Sequence, residues 1–87
     1  MKLICSFETI DMGEEYVAVP VGEFADRVRG VFKLNDTGLE ILELLNNDMN
    51  EEQIVSALSY KYDDERSIIT EYVHNVIDYL DKNELIK

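Results

Sequence analysis

The chain has 87 residues, 46% of them hydrophobic, and 8 Lys and Arg stand against 19 Asp and Glu for a net charge of −11. That length fits one domain spanning residues 1–87, with a core too small to enclose a deep cavity. The charge works against nucleic acid and anionic membrane surfaces as partners, and the single Cys5 excludes an internal disulfide and any Cys-cluster zinc site.

Met1-Lys2-Leu3-Ile4-Cys5 lacks the apolar run of a signal peptide, and no stretch approaches the ~20 apolar residues of a membrane span. A small, acidic, cytoplasmic domain is expected. The charge is uneven: residues 1–35 carry a net −2 and residues 36–87 a net −9. The texture changes at the same place, from Val, Ile, Phe and Tyr in short runs broken by Gly and Pro to apolar residues at helical spacing.

Taken in chain order, Leu3 to Ile10 reads as a first strand, closed by the turn sequence Asp11-Met12-Gly13-Glu14. Tyr16 to Val21 is the return strand, with Val17, Val19 and Val21 on one face, and Pro20 makes it an edge there or ends it. Gly22 to Arg29 is a polar loop carrying Phe24 and Val28, and Gly30 to Leu34 is a short third strand. Asn35 or Asp36 caps a first helix holding Leu39, Ile41, Leu42, Leu44 and Leu45, which Asn46-Asn47-Asp48 stops. Asn50, with Gln53 three residues on, forms a capping box for a second helix with Ile54, Val55 and Leu58 inside. Asp63-Asp64 caps a third that runs to about Leu80, after which Leu85-Ile86 tucks back as a tail. The order βββααα predicts an α+β fold, a three-stranded antiparallel sheet packed on three helices. Its expected core is Phe7, Val17, Val19, Leu34, Ile41, Leu45, Ile54, Leu58, Ile69, Val73 and Val76.

Catalytic and cofactor constellations are not found. His74 is the only histidine and falls on the polar side of the third helix, without a second His or Cys near it in sequence to share a metal. Cys5 reads as a small core thiol rather than a nucleophile. Asn46, Asp48 and Asn50 alternate as in a calcium loop, but Glu51 replaces the turn glycine and Ala57 the bidentate glutamate. Ser56, Ser59 and Ser67 lie inside helices, so none offers the attachment site of an acyl carrier protein. Three strands with three helices suit a winged helix-turn-helix, yet the second helix turns Glu51, Glu52, Gln53, Ser56 and Ser59 outward, and the third has only Arg66 as a base before its final turn. From the residues alone, a non-catalytic interaction module remains, with no cofactor and no metal.

Gly30-Val31-Phe32-Lys33-Leu34-Asn35-Asp36-Thr37-Gly38, followed by Ile41, Leu44 and Leu45, resembles the strand, Leu-Asn and helix signature of the PqqD family. The likeness continues through Glu52-Gln53-Ile54-Val55, Leu58, Tyr62-Asp63, Val73, Ile77, Leu80 and Leu85-Ile86, and Tyr16 to Pro20 resembles the family's second strand. The resemblance implies a winged helix-turn-helix that serves as a RiPP recognition element. Such an adaptor binds the leader of a ribosomally made precursor peptide and presents it to a maturation enzyme. That enzyme is a radical SAM protein in some systems and a leader peptidase in others, as in lasso-peptide pathways. The leader would lie as an extra strand against the third strand, facing the third helix. A winged-helix transcriptional regulator and another protein-interaction module stand as alternatives.

Helical arithmetic bears on where a peptide would sit. At about 100° per residue with Ile68 as zero, Ile69, Val76, Leu80 and Val73 fall near 80–140° and Ile77 near 180°, whereas Tyr72, Tyr79 and Asn75 fall near 40°, 20° and −20°. The apolar arc is broader than one core contact needs. A helix buried on two sides within its own domain would show the same arc. The binding reading places Ile68, Tyr72, Asn75 and Tyr79 along a groove opposite Arg29, Gly30, Val31, Phe32 and Lys33, whose free backbone edge would take the leader. Arg27, Arg29 and Lys33 form one basic strip, expected to meet acidic leader residues.

Overall fold

The computed structural model describes every residue except Phe24 and Arg29. Its elements run β1 (Ser6–Asp11), β2 (Tyr16–Val21), a 3₁₀ turn (Ala25–Arg27), β3 (Phe32–Leu34), α1 (Asp36–Leu44), α2 (Glu51–Ser59) and α3 (Arg66–Lys82). This is the expected α+β arrangement, three antiparallel strands followed by three helices. Among the described residues, no helix is long and apolar enough to cross a membrane.

The hairpin joining β1 to β2 closes locally. The Asp11 carboxylate accepts from the Gly13 N–H at 2.8 Å, and the Met12 N–H donates to the Glu15 carbonyl at 2.9 Å. β2 is the central strand, pairing with β1 along its whole length but with β3 only at Tyr16, Val17 and Ala18. Pro20 lies beyond the last β3 partner, so the missing proline N–H falls where β2 has a neighbour on one side only.

Register decides which face is buried. Directly opposed residues point the same way, so Thr9, Ala18 and Phe32 share a face, as do Ile10, Val17 and Lys33. The helices cover the first: Ala18 is 1% exposed and Phe32 6%. Val17 and Val19, expected in the core, are half-buried on the opposite face, and alanine holds the inward position because the Phe32 ring beside it needs the room. The strand limits shift as well. β1 begins at Ser6 rather than Leu3, because Leu3 pairs instead with Ile86 of the returning tail, and β3 begins two residues after Gly30.

Two helix caps fall where the side-chain chemistry places them. Asn35 Oδ1 accepts from the Gly38 N–H at 2.8 Å. Asn50 and Gln53 exchange bonds of 2.8 and 2.9 Å in a full capping box. The third differs. The N-cap of α3 is Glu65, without a side-chain bond, and Asp63-Asp64 belong to the preceding connection, because the ladder starts with Ile68 and Ile69 donating to the Glu65 carbonyl. The expected core residues Leu34, Ile41, Leu45, Ile54, Leu58, Ile69 and Val73 are buried, joined by Leu80 and Leu85. Phe7 and Val76 are half-buried and pack against that cluster.

Candidate functional site

β3 is the end strand of the sheet, bonded to β2 on one side. Phe32 and Leu34 turn inward while Lys33 turns out, so the free backbone edge of β3 runs between a buried layer and an exposed one. Beside that edge lies α3, tied to it at two points. At one, the Tyr72 hydroxyl donates to Asn35 Oδ1 at 2.6 Å, using the oxygen that also caps α1. At the other, the Tyr79 ring meets Phe32 edge to face, with centroids 6.2 Å apart and planes at 82°, and Phe32 meets Phe7 likewise at 6.4 Å. A later strand residue thus meets an earlier helix residue, so α3 runs antiparallel to β3.

Between the two ties is an open groove of about 320 Å³, lined by Lys33, Leu34, Asn35, Gly38, Tyr72, Asn75, Val76 and Tyr79. Among the described residues Lys33 is the only charged one lining it, and its ammonium lies 3.7 Å from the Glu15 carboxylate on the solvent side. Gly38 gives the groove part of its depth. A Cβ there would sit 3.2 Å from Asn35 Oδ1 and 3.3 Å from Leu34 Cδ2, tighter than ordinary contact.

The structure thus brings together Lys33, Tyr72, Asn75 and Tyr79 of the expected site. Phe32 is buried behind them as the partner of Tyr79. Gly30 and Val31 precede the strand, with Val31 left 56% exposed. Ile68, 54% exposed, opens instead onto a smaller recess of about 100 Å³ beyond Tyr72. Arg27 is exposed in the 3₁₀ turn, and Arg29 lies outside the described residues.

Sequence reasoning missed Leu34, Asn35, Gly38 and Val76 as lining residues. Asn35 carried a usable signal, since a cap carbonyl oxygen has a second lone pair that a neighbouring hydroxyl can fill.

Elsewhere, His74 is exposed and its Nδ1 lies 2.9 Å from Glu51 Oε1, joining α3 to α2. Cys5 is half-buried just before β1, where burial pushes its thiol up from its ordinary value.

An end strand that pairs on one side among the described residues, beside a mainly apolar groove, can receive an extended chain. Residues 15–86 match the family model described as Coenzyme PQQ synthesis protein D (PqqD). The chain belongs to the PqqD family. This PqqD-family chain is also similar in fold to a solved structure described as "TbiB1 in Complex with the TbiA(beta) Leader Peptide". The two agree with a TM-score of 0.72 at 22% sequence identity, covering 100% of this chain and 95% of that one. No curated protein sequence matches the chain.

Proposed function

We propose that this PqqD-family chain is a non-catalytic adaptor that binds the leader of a ribosomally made precursor peptide by strand addition and presents it to a maturation enzyme. The observation that carries the reading is the unpaired edge of β3 beside the β3–α3 groove. A leader strand would bond to that edge through its main chain, while alternate side chains drop toward Tyr72, Asn75 and Tyr79. The similar solved structure, itself described as a leader-peptide complex, supports a leader peptide as the ligand. The basic residues Arg27, Arg29 and Lys33 would meet acidic residues of the leader. In this reading residues 1–87 form one cytoplasmic recognition unit, and the enzyme is a radical SAM protein or a leader peptidase of the lasso-peptide type.

DNA recognition is the weaker alternative. The exposed positions of α3 include Glu71, Asp78 and Asp81, which a phosphate backbone would repel.

The test is calorimetric titration of a candidate leader peptide, drawn from short reading frames sought near this chain's gene, against the parent, Tyr72→Ala and Lys33→Glu. Loss of the Tyr72 ring removes an aromatic anchor and is expected to cost about 2 kcal/mol, or about thirtyfold in affinity. Folded variants that both bind like the parent would place the site elsewhere.

A further inference from the structure

The recess beyond Tyr72 is a separate compartment. Its floor is Leu58 at the end of α2 and Ile69 in the first turns of α3, 2% and 5% exposed. Tyr62 and Thr37 form half-buried walls, and Ile68 stands at the mouth with more than half its surface in water. Tyr72 lines both this recess and the main groove, so a single ring, fixed by its bond to Asn35, divides them. An extended peptide on β3 sends every second side chain to the α3 side, at a spacing of roughly 7 Å. A chain continuing past the Asn35 end would therefore bring its next inward side chain over the far side of the Tyr72 ring.

We propose that this recess is an anchor subsite for one branched aliphatic side chain of the leader, Val, Leu or Ile, flanked by neutral or basic residues. The inference rests on the adaptor reading and adds to it a residue class at one leader position. Size supports the choice. An apolar cavity of about 150 Å³ holds a benzene ring, and this one, at about 100 Å³, suits a four-carbon branch better than an aromatic. Charge sets the flanks, since the exposed Asp64 lines the recess and its sequence neighbours Asp63 and Glu65 are exposed acids too. An acidic leader residue there would meet like charge. The same acids, with the net charge of −11, disfavour a second copy of this chain as the occupant.

The probe is a phage-displayed library of random 12-residue peptides, selected against the parent, Ile68→Asp, Thr37→Phe and Tyr72→Ala. Ile68→Asp puts a charge at the mouth from an already exposed position, and Thr37→Phe fills the recess from its wall. The parent is expected to enrich peptides with Val, Leu or Ile at one fixed position and no acid beside it. Both recess variants should lose that preference, and a parent-selected peptide should bind each about tenfold more weakly in titration. Replacing its aliphatic anchor by Phe should weaken binding to the parent as well. Peptides that enrich on the parent, weaken with Tyr72→Ala and yet ignore both recess variants would overturn the anchor subsite and leave the adaptor reading standing. A parent that enriches nothing, or whose peptides ignore Tyr72→Ala as well, would take down both.

Discussion

The sheet has two edges, and they are built differently. β1 is the longer, six residues from Ser6 to Asp11, nearly all exposed and bearing Glu8 and Asp11. The chain before it is stitched down: the Leu3 N–H donates to Leu45, Ile4 to Leu85, and Lys87 back to Lys2, each at 2.9 Å. β3 is half that length, carries one exposed side chain, Lys33, and lies beside the groove under α3. Charges along an edge discourage pairing, and the recesses beside β1 are lined by Lys2, Asn46, Glu43 and Lys87 as well as apolar residues. Among the described residues, β3 is the edge flanked by a mainly apolar groove with Tyr72 and Tyr79 at its ends. Under the proposed strand addition, what suits an edge to receive a peptide is what stands next to it rather than its own length.

Substitutions that remove the difference sharpen this contrast. The largest effect is expected at Phe32, whose ring links Phe7 to Tyr79 behind the β3 edge. Phe32→Ala should lower stability by about 3–5 kcal/mol in urea unfolding, whereas Glu8→Ala on β1 should stay within about 0.5 kcal/mol. Tyr79→Ala should weaken leader binding by about 1.5 kcal/mol, roughly tenfold in titration, while the ring's partial exposure keeps its stability cost near 1 kcal/mol. Gly30 enters β3 with φ +80°, a conformation that strains any L side chain even though open space surrounds it. Gly30→Ala should therefore cost about 1 kcal/mol, seen as a lower urea midpoint with an unchanged slope.

The smallest effect lies in the terminal segment ahead of β1. The Met1 ammonium, 2.8 Å away, holds the Asp48 carboxyl below its usual value of 3.8, first by hydrogen bonding and then by charge. Because the folded value is the lower one, the bridge contributes above the ordinary carboxylate pKa and is lost as pH falls through the lowered value. Asp48→Asn should flatten the parent's acid-side loss of stability below about pH 4, measured as urea midpoints across that range.

What could be read from the sequence follows the range of the forces. The Asn35 cap and the Asn50–Gln53 box are contacts within four residues, and both stand where the side chains place them. The α3 cap was misplaced because Asp63 and Asp64 look like caps, yet the chain turns helical only after Glu65. By pattern alone the alternating Val17, Val19 and Val21 outweigh Ala18 as the inward face, whereas the face is chosen by the long-range pairing of Ala18 with Phe32. The groove was half legible. Helical spacing puts Tyr72, Asn75 and Tyr79 on one side of α3, where Asn75 and Tyr79 are exposed and Tyr72 is half-buried. The contributions of Asn35 and Gly38 depend on the helix crossing the β3–α1 corner, which no local pattern records.

Strand addition at β3 is tested most directly by backbone amide hydrogen exchange with and without a leader peptide. Edge amides of a short end strand exchange readily when nothing pairs with them. Bound leader is predicted to slow exchange within residues 30–35, with smaller changes around Tyr72 and Tyr79 and none along β1. Tight binding that left residues 30–35 exchanging as before, with protection appearing on β1 or on the outer surface of α2 and α3, would contradict it.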